Sequence, residues 1–531
     1  MRMKETADII VLGGGLGGCM AAMAGAKMGL QVILTEETDW LGGQLTSQAV
    51  PPDEHSWIES FGCTRTYREF RERVRRYYKD NYPLREETRR EEILNPGNGW
   101  VSRLCHEPKV ALRVIEDMLA PYVNSGRIAV YYGFRPVDAA TEEDYIKSVT
   151  VRHITTGVMI TLQGACYLDA TECGDVLPIA GVEYVTGAEA HSETGEPHAP
   201  EKSDPLDIQS ITHVFALDYK EGGDFTIDKP EQYEFWRAFV PGFSRYPQLS
   251  WIIPDVNKED EMKEIAFFPD GIEPMPLWTY RRIIDASIFS DGLYESDITL
   301  VNWSQNDYFL GPIYDVPEEE RLKHLEGARQ LSLSLVYWLQ TEAPRPDGGR
   351  GYPGIRLRGD VLGSEDGMAK HPYIRESRRI KAVQTITEND VSREVRGEQG
   401  IRRYDDSIGV GSYHLDLHPT TRSNRMFYIP SYPYEIPLGS LLPIRVKNLL
   451  PACKNIGTTQ IANGCYRLHP TEWNIGESAG YLAAYAVKNG VLNHMVRDNP
   501  QHLKAFLELL GQEGIETHWP DDLLKPLSNR N

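Results

Sequence analysis

Asp8-Ile9-Ile10-Val11-Leu12-Gly13-Gly14-Gly15-Leu16-Gly17-Gly18 is an apolar run that breaks into glycine. The run predicts a short buried strand, and Gly13 to Gly18 a turn. Cys19 to Met28, dense in Ala, Met and Gly, predicts a closely packed helix that Gly29 ends. Gln31-Val32-Ile33-Leu34-Thr35-Glu36 then predicts a second strand. The result is one βαβ unit with Gly13-x-Gly15-x-x-Gly18 between its first strand and its helix. In such a turn the first glycine makes the bend, the second lets backbone approach a pyrophosphate, and the third permits close helix–strand packing. The first helical amides, around Leu16 and Gly17, face an anion with the positive end of the helix dipole. Glu36 ends the second strand about 20 residues after the first glycine, where an acidic side chain accepts the ribose hydroxyls of an adenosine and repels a 2′-phosphate.

Just beyond stands Trp40-Leu41-Gly42-Gly43-Gln44-Leu45-Thr46. A glycine pair here lets backbone run beside a cofactor that continues past the ribose, so Gly42, Gly43 and Gln44 favour FAD over NAD. A glycine turn leading into a loop is the plainer alternative.

Outward from this unit, Tyr67 to Glu92 is dense in Arg and Glu and predicts a solvated helix laced by i,i+4 pairs and interrupted at Pro83. Lys109 to Tyr122 has helical periodicity. Ile128–Tyr132, Ile146–His153, Val158–Leu162 and Ala165–Asp169 follow as β runs. Between Glu189 and Tyr432 proline, aromatics and polar turns rise and no second glycine fingerprint occurs, as in a separate substrate or cap domain. Leu441 to Gly490 returns to apolar runs and a small-residue helix, and Pro500 to Leu510 predicts a short amphipathic helix.

At 531 residues, two domains with a tail are expected, and the 41% hydrophobic content supports a sizeable core. The formal charge of −21 disfavours nucleic acid and anionic membrane surfaces. No apolar run approaches a membrane span, and the first strand leaves no room for a leader before it. The 7 cysteines are scattered without a CxxC pair, which suits a reducing cytoplasm and argues against a cluster or zinc site. A soluble cytoplasmic protein acting on a small molecule is expected, with a homo-oligomer left open.

The βαβ unit, Leu41-Gly42-Gly43-Gln44, Leu168-Asp169-Ala170-Thr171 and the stretch Arg467-Leu468-His469-Pro470-Thr471-Glu472-Trp473-Asn474-Ile475-Gly476-Glu477-Ser478-Ala479-Gly480 together resemble the FAD-dependent oxidoreductase family. This family belongs to the two-domain FAD proteins that include the fumarate reductase flavoproteins, and the nearer branch contains proteins labelled xanthan lyase. The resemblance implies an α/β fold: a discontinuous Rossmann-like FAD-binding domain with an inserted α+β cap. The boundaries are 1–188 and 433–495 for the FAD-binding parts, 189–432 for the cap and 496–531 for a helical tail. It also implies that Ala170 and Thr171 run beside the ADP moiety, although Glu172 stands where the family pattern reads glycine. Amides near Asn474, Ile475 and Gly476 would stabilise negative charge on reduced flavin. Ala479, Gly480, Ala483 and Ala484 would pack beside the cofactor, or simply form a buried helix.

A flavin carries the redox chemistry, so the protein must orient a substrate C–H bond and supply a base. Arg467 and His469, just before the closing helix, are the leading catalytic candidates, with His469 as base or hydrogen-bond donor. His414-Leu415-Asp416-Leu417-His418 alternates with strand period and places His414, Asp416 and His418 on one face. That face could supply a base, hold a metal or merely meet solvent, and no metal is expected. Asn302 and Trp303 suit a sugar or polyol ring, or a plain turn. Arg375 and Arg378 could bind a substrate carboxylate, or be ion-paired at a surface. The expected activity is oxidation of a small polar metabolite, such as a sugar or polyol alcohol, by hydride transfer to FAD. A non-redox flavoprotein (isomerase or lyase) and the flavin subunit of an electron-transfer complex are the alternatives.

Overall fold

The computed structural model describes residues 3–255, 258, 261–271 and 275–524. Its first part carries β1 (Met3–Thr6), β2 (Ile9–Leu12), α1 (Leu16–Lys27), β3 (Val32–Glu36), α2 (Arg65–Asn81), α3 (Pro108–Asn124), β4 (Ile128–Tyr132), β5 (Phe134–Glu142), β6 (Tyr145–His153), β7 (Met159–Gln163) and β8 (Cys166–Asp169). β2 is fully buried, as a continuous apolar run in a covered parallel strand should be. α2 starts where the Thr64 side chain accepts from the Tyr67 amide and ends before Pro83.

The next part carries β9 (Ile211–Thr212), β10 (Phe215–Tyr219), β11 (Arg282–Ile284), β12 (Ile298–Val301), β13 (Asp307–Tyr308), α4 (Glu318–Thr341), β14 (Ile355–Leu357), β15 (Tyr373–Ile374), β16 (Leu415–Leu417) and β17 (Phe427–Ile429). The closing part carries β18 (Leu449–Pro451), α5 (Gln460–Tyr466), α6 (His469–Asn489) and α7 (Pro500–Glu513).

The main sheet is parallel in the order β18-β8-β2-β3-β4. Its last strand comes from the far end of the sequence and pairs with β8 through Leu449↔Tyr167. A second sheet runs β1-β7-β6-β5. Between β8 and β18 lie antiparallel sheets, β11-β12-β10-β14 and β13-β9-β15, beside α4. The fold is α/β, with a Rossmann-like parallel sheet interrupted by an α+β insertion.

α1 lies directly against α6. A Cβ on Gly476 would stand 2.1 Å from the Gly17 carbonyl oxygen, and one on Gly480 2.4 Å from that of Ala21. Gly476 and Gly480 of the closing helix therefore serve helix–helix contact. One correction concerns α2. Arg73 pairs with Glu69 along the helix as expected, but Arg71 is buried and bridges Glu54 and Glu59 from the preceding loop. α4, 24 residues long, was hidden inside the proline-rich composition of the insertion; its start is marked by Pro317 and the acidic turn Glu318-Glu319-Glu320.

Candidate functional site

The turn between β2 and α1 has the shape its glycines require. Gly13 has φ of +102°, and a Cβ there would meet the Ala170 carbonyl oxygen at 2.2 Å. A Cβ on Gly18 would meet the Gly13 oxygen at 1.9 Å. Gly15 precedes α1 without any side-chain cap, and at the helix start the Gly17 amide donates to Glu472 Oε1 at 3.4 Å. The Gly42 amide donates to the Gly14 carbonyl at 2.8 Å, and Gly42 and Gly43 both have positive φ, at +102° and +47°. The Gly-Gly turn is thus tied to the first glycine turn.

Glu36 ends β3 with its carboxylate beside the turn, accepting from the Gly14 amide at 2.9 Å and from Thr38 N and Oγ1 at 2.8 and 2.7 Å. Burial pushes its pKa up to about 7, against the Thr38 hydrogen bonds that pull it down. Thr171 follows β8, its hydroxyl donating to Asp169 Oδ1 at 2.7 Å, and Ala170 abuts Gly13. Gly13, Gly15, Glu36, Gly43, Ala170, Thr171 and Glu172 share one cleft.

The residues at the start of α6 are placed differently from expectation. The helix begins at His469, so Asn474, Ile475 and Gly476 lie in its second turn, where amides are committed to intrahelical bonds. Asn474 instead donates to the Ile408 carbonyl at 3.1 Å, and Gly476 abuts Gly17. The available end amides are those of His469 and Thr471, since residue 470 is proline. His469 is fully buried and its Nδ1 accepts from the Asp53 amide at 3.1 Å, which leaves the proton on Nε2. Burial, helped by the Arg281 charge, holds its pKa down to about 3.

Arg467 joins the glycine turns to a second cluster. Its carbonyl accepts from Gln44 Nε2 at 3.0 Å, while Nη2 meets Asp416 Oδ2 at 3.0 Å and Nη1 donates to the Tyr373 hydroxyl at 2.8 Å. Asp416 lies 3.3 Å from His418 Nε2, and His418 Nδ1 lies 2.6 Å from Asp307 Oδ2. Arg375 in turn donates to Asp307 Oδ1 at 2.8 Å and Thr212 Oγ1 at 2.9 Å, and meets Asn302 Oδ1 at 3.3 Å. Burial and Arg375 push the His418 pKa down, but Asp416 and Asp307 outweigh them and raise it. Burial pushes Asp416 up, yet His418 and Arg467 hold its carboxyl well below the usual range. The set is an imidazole held between two carboxylates, each with its own arginine.

Asp307, Asp416 and His418 form part of the wall of a cavity of about 360 Å³, together with Gln248, Ser304 and Tyr428. Other expectations do not survive. His414 is exposed and stacks on Tyr428, ring centroids 4.3 Å apart, because β16 is too short to keep it on the Asp416 face. Trp303 is buried in the aromatic core of the insertion beside Phe267, and Asn302 Oδ1 meets Arg375. Arg375 has its guanidinium engaged by Asp307, Thr212 and Ser210 rather than free for a ligand. Arg378 pairs with Asp175 and Asp315 outside the cavity wall. Asp53, Arg281, Asp307 and Lys454 were missed. Lys454 had a signal, a lone charge directly after the apolar stretch Leu449–Cys453, but the others sit in unremarkable loops.

The sequence model described as FAD dependent oxidoreductase matches residues 8–507. No curated protein matches the chain. Among solved structures, it is similar to E. coli quinol fumarate reductase at 10% identity, covering 96% of this chain and 74% of that one, with a TM-score of 0.34. A geranylgeranyl bacteriochlorophyll reductase-like protein from Thermoplasma acidophilum is similar at 13% identity, covering 99% and 91%, with a TM-score of 0.31. L-proline dehydrogenase from P. horikoshii is similar over 35% of this chain at 15% identity and a TM-score of 0.18, and the chain spans 24% of its length. Among the described residues no helix is long and apolar enough to cross a membrane.

Proposed function

The chain belongs to the FAD dependent oxidoreductase family, and from that premise we propose that it oxidises a small polar metabolite, of the sugar or polyol alcohol class, with His418 taking the hydroxyl proton. FAD is its cofactor. The residues present fit that group: Gly13, Gly15 and Gly18 shape the turn, α1 starts without a side-chain N-cap, and Glu36 stands at the strand end. Gly13, Gly15, Leu16, Gly17, Gly18, Glu36, Gly42, Gly43, Gln44, Ala170 and Thr171 would hold it. Bound flavin supplies the hydride acceptor.

The observation that carries the substrate reading is His418, whose Nδ1 is held by Asp307 while Nε2, the nitrogen that would take the proton, lies 3.3 Å from Asp416 on a cavity wall. Asp307 orients the ring, and Asp416 is itself held by Arg467, whose carbonyl reaches Gln44 in the glycine turn. Because its pKa is raised, His418 is protonated at and below its ordinary value and becomes a proton acceptor only as pH rises past the raised one. Oxidation therefore speeds up with pH through that range.

The reading keeps the cap at 189–432, inserted between FAD-binding parts at 1–188 and 433–495, with the tail at 496–531, of which 525–531 lie outside the described residues. It also keeps a cytoplasmic small-molecule enzyme without nucleic-acid or membrane partners, supported by the charge of −21. The test is anaerobic mixing of the flavin-loaded protein with sugars, polyols and hydroxy acids. Bleaching by a hydroxyl compound, lost in His418→Gln with flavin content intact, supports the proposal. Bleaching by none of them sinks it, and product formed without net oxidation favours an isomerase or lyase.

A further inference from the structure

The family pattern places glycine where this chain has Glu172, and the structure shows where that carboxylate goes. A Cβ on Gly15 would stand 2.8 Å from Glu172 Oε1, and one on Gly43 2.9 Å from the same atom. The second glycine of the fingerprint is the one whose missing side chain makes room for pyrophosphate. One oxygen of Glu172 therefore lies in the space that both glycine turns leave open for an anion.

Around it lie one buried cation, Lys454, and a second carboxylate, Glu472. The Lys454 side chain is fully buried and ion-pairs with Glu172, with Glu472 Oε2 at 3.5 Å. Glu472 Oε1 accepts from the Gly17 amide at 3.4 Å, at the positive end of α1, and Gln44 donates to its other oxygen. Burial pushes Glu172 up, but Lys454 outweighs it and keeps the carboxyl ionised, whereas burial raises Glu472. Lys454 is held well above its ordinary value because the surrounding anions outweigh its own burial.

We propose that Glu172 is an internal competitor of the cofactor's diphosphate, and that Lys454 is the counter-ion for whichever of the two anions lies in the cradle. An ionised carboxylate and a diphosphate repel at this range, and the low-dielectric surroundings screen them little. The lysine and the helix end attract both. The side chain of Glu172 reaches the cradle by its flexible end, so it leaves without moving backbone. Affinity for FAD is thereby set below what the glycine cradle alone would give.

Glu172→Gln keeps the shape and removes the charge, which makes the direction of its effect diagnostic. FAD is titrated into the full chain freed of flavin, for wild type, Glu172→Gln, Lys454→Met and the double variant, with flavin fluorescence giving the Kd and a thermal melt reporting folding. Glu172→Gln binds FAD about tenfold tighter and Lys454→Met about tenfold weaker, in line with one charge interaction each. The double variant binds more weakly than Glu172→Gln alone. Non-specific damage weakens binding, so a tighter Glu172→Gln cannot arise from it. Unchanged or weaker binding by Glu172→Gln overturns the proposal even if Lys454→Met fails to fold. A wild-type chain that binds no FAD contradicts the cofactor assignment itself, a separate failure.

Discussion

The glycine cradle and the His418 cluster lie at the two ends of one connection through Gln44 and Arg467, yet they are built on opposite principles. The cradle works by what its residues lack. Gly13 and Gly18 bring backbone close to backbone at Ala170 and within the turn, Gly15 leaves room beside the Glu172 side chain, and Glu36 stands beside the turn. The His418 cluster works by what its residues carry: Asp307, Arg375, Asp416 and Arg467 are buried or nearly so, and each charge is tolerable only because its partner is in place. A backbone site is specified locally, whereas a side-chain site is specified by the whole fold.

That contrast predicts different kinds of failure. Arg375→Met leaves Asp307, 1% exposed, without its guanidinium and should cost about 4 kcal/mol, the usual penalty for halving a buried pair. Chemical denaturation measures it, and a loss under 1 kcal/mol would mean that His418 alone satisfies Asp307. Gly13→Ala forces a side chain onto a positive φ and into Ala170. It should cost about 3 kcal/mol and strip the flavin, read from the flavin-to-protein absorbance ratio. Full flavin retention there would break the cradle half of the comparison.

His418→Gln is expected to act on rate rather than stability. Turnover with a bleaching substrate should fall about a hundredfold with flavin content unchanged. Asp307→Asn sharpens this: losing one anion lowers the His418 pKa, so the acid limb of the pH–rate profile moves to lower pH. The linkage has the matching sign. His418 has a raised pKa in the fold, so the stability from its charge is present in full below pH 6.5 and lost as pH rises through the raised value. The smallest effect belongs to His414→Ala, under about twofold in rate, since an exposed ring stacked on Tyr428 touches none of the cluster's hydrogen bonds.

How much was legible in sequence follows the same division. β2, α1, β3, β4 and β8 could be read from contiguous apolar runs and glycine punctuation, and β18 from the apolar return near Leu449. α4 was not, because its helical residues lie among prolines and aromatics that read as loops. Period-two alternation put His414 with Asp416, but a strand of three residues ends before that face is established. Asn474 to Gly476 was misplaced because a helix start cannot be located within a turn when proline, threonine and glutamate all suit its first positions. Nothing local marks Asp307 as the partner of both Arg375 and His418, which reach it from 68 and 111 residues away.

The most direct test of the account is the visible absorption spectrum of the purified full chain, followed by heat release and identification of the chromophore. The account predicts oxidised flavin, released as FAD at one equivalent per chain and largely lost in Gly13→Ala. A colourless protein that takes up no added FAD would contradict it.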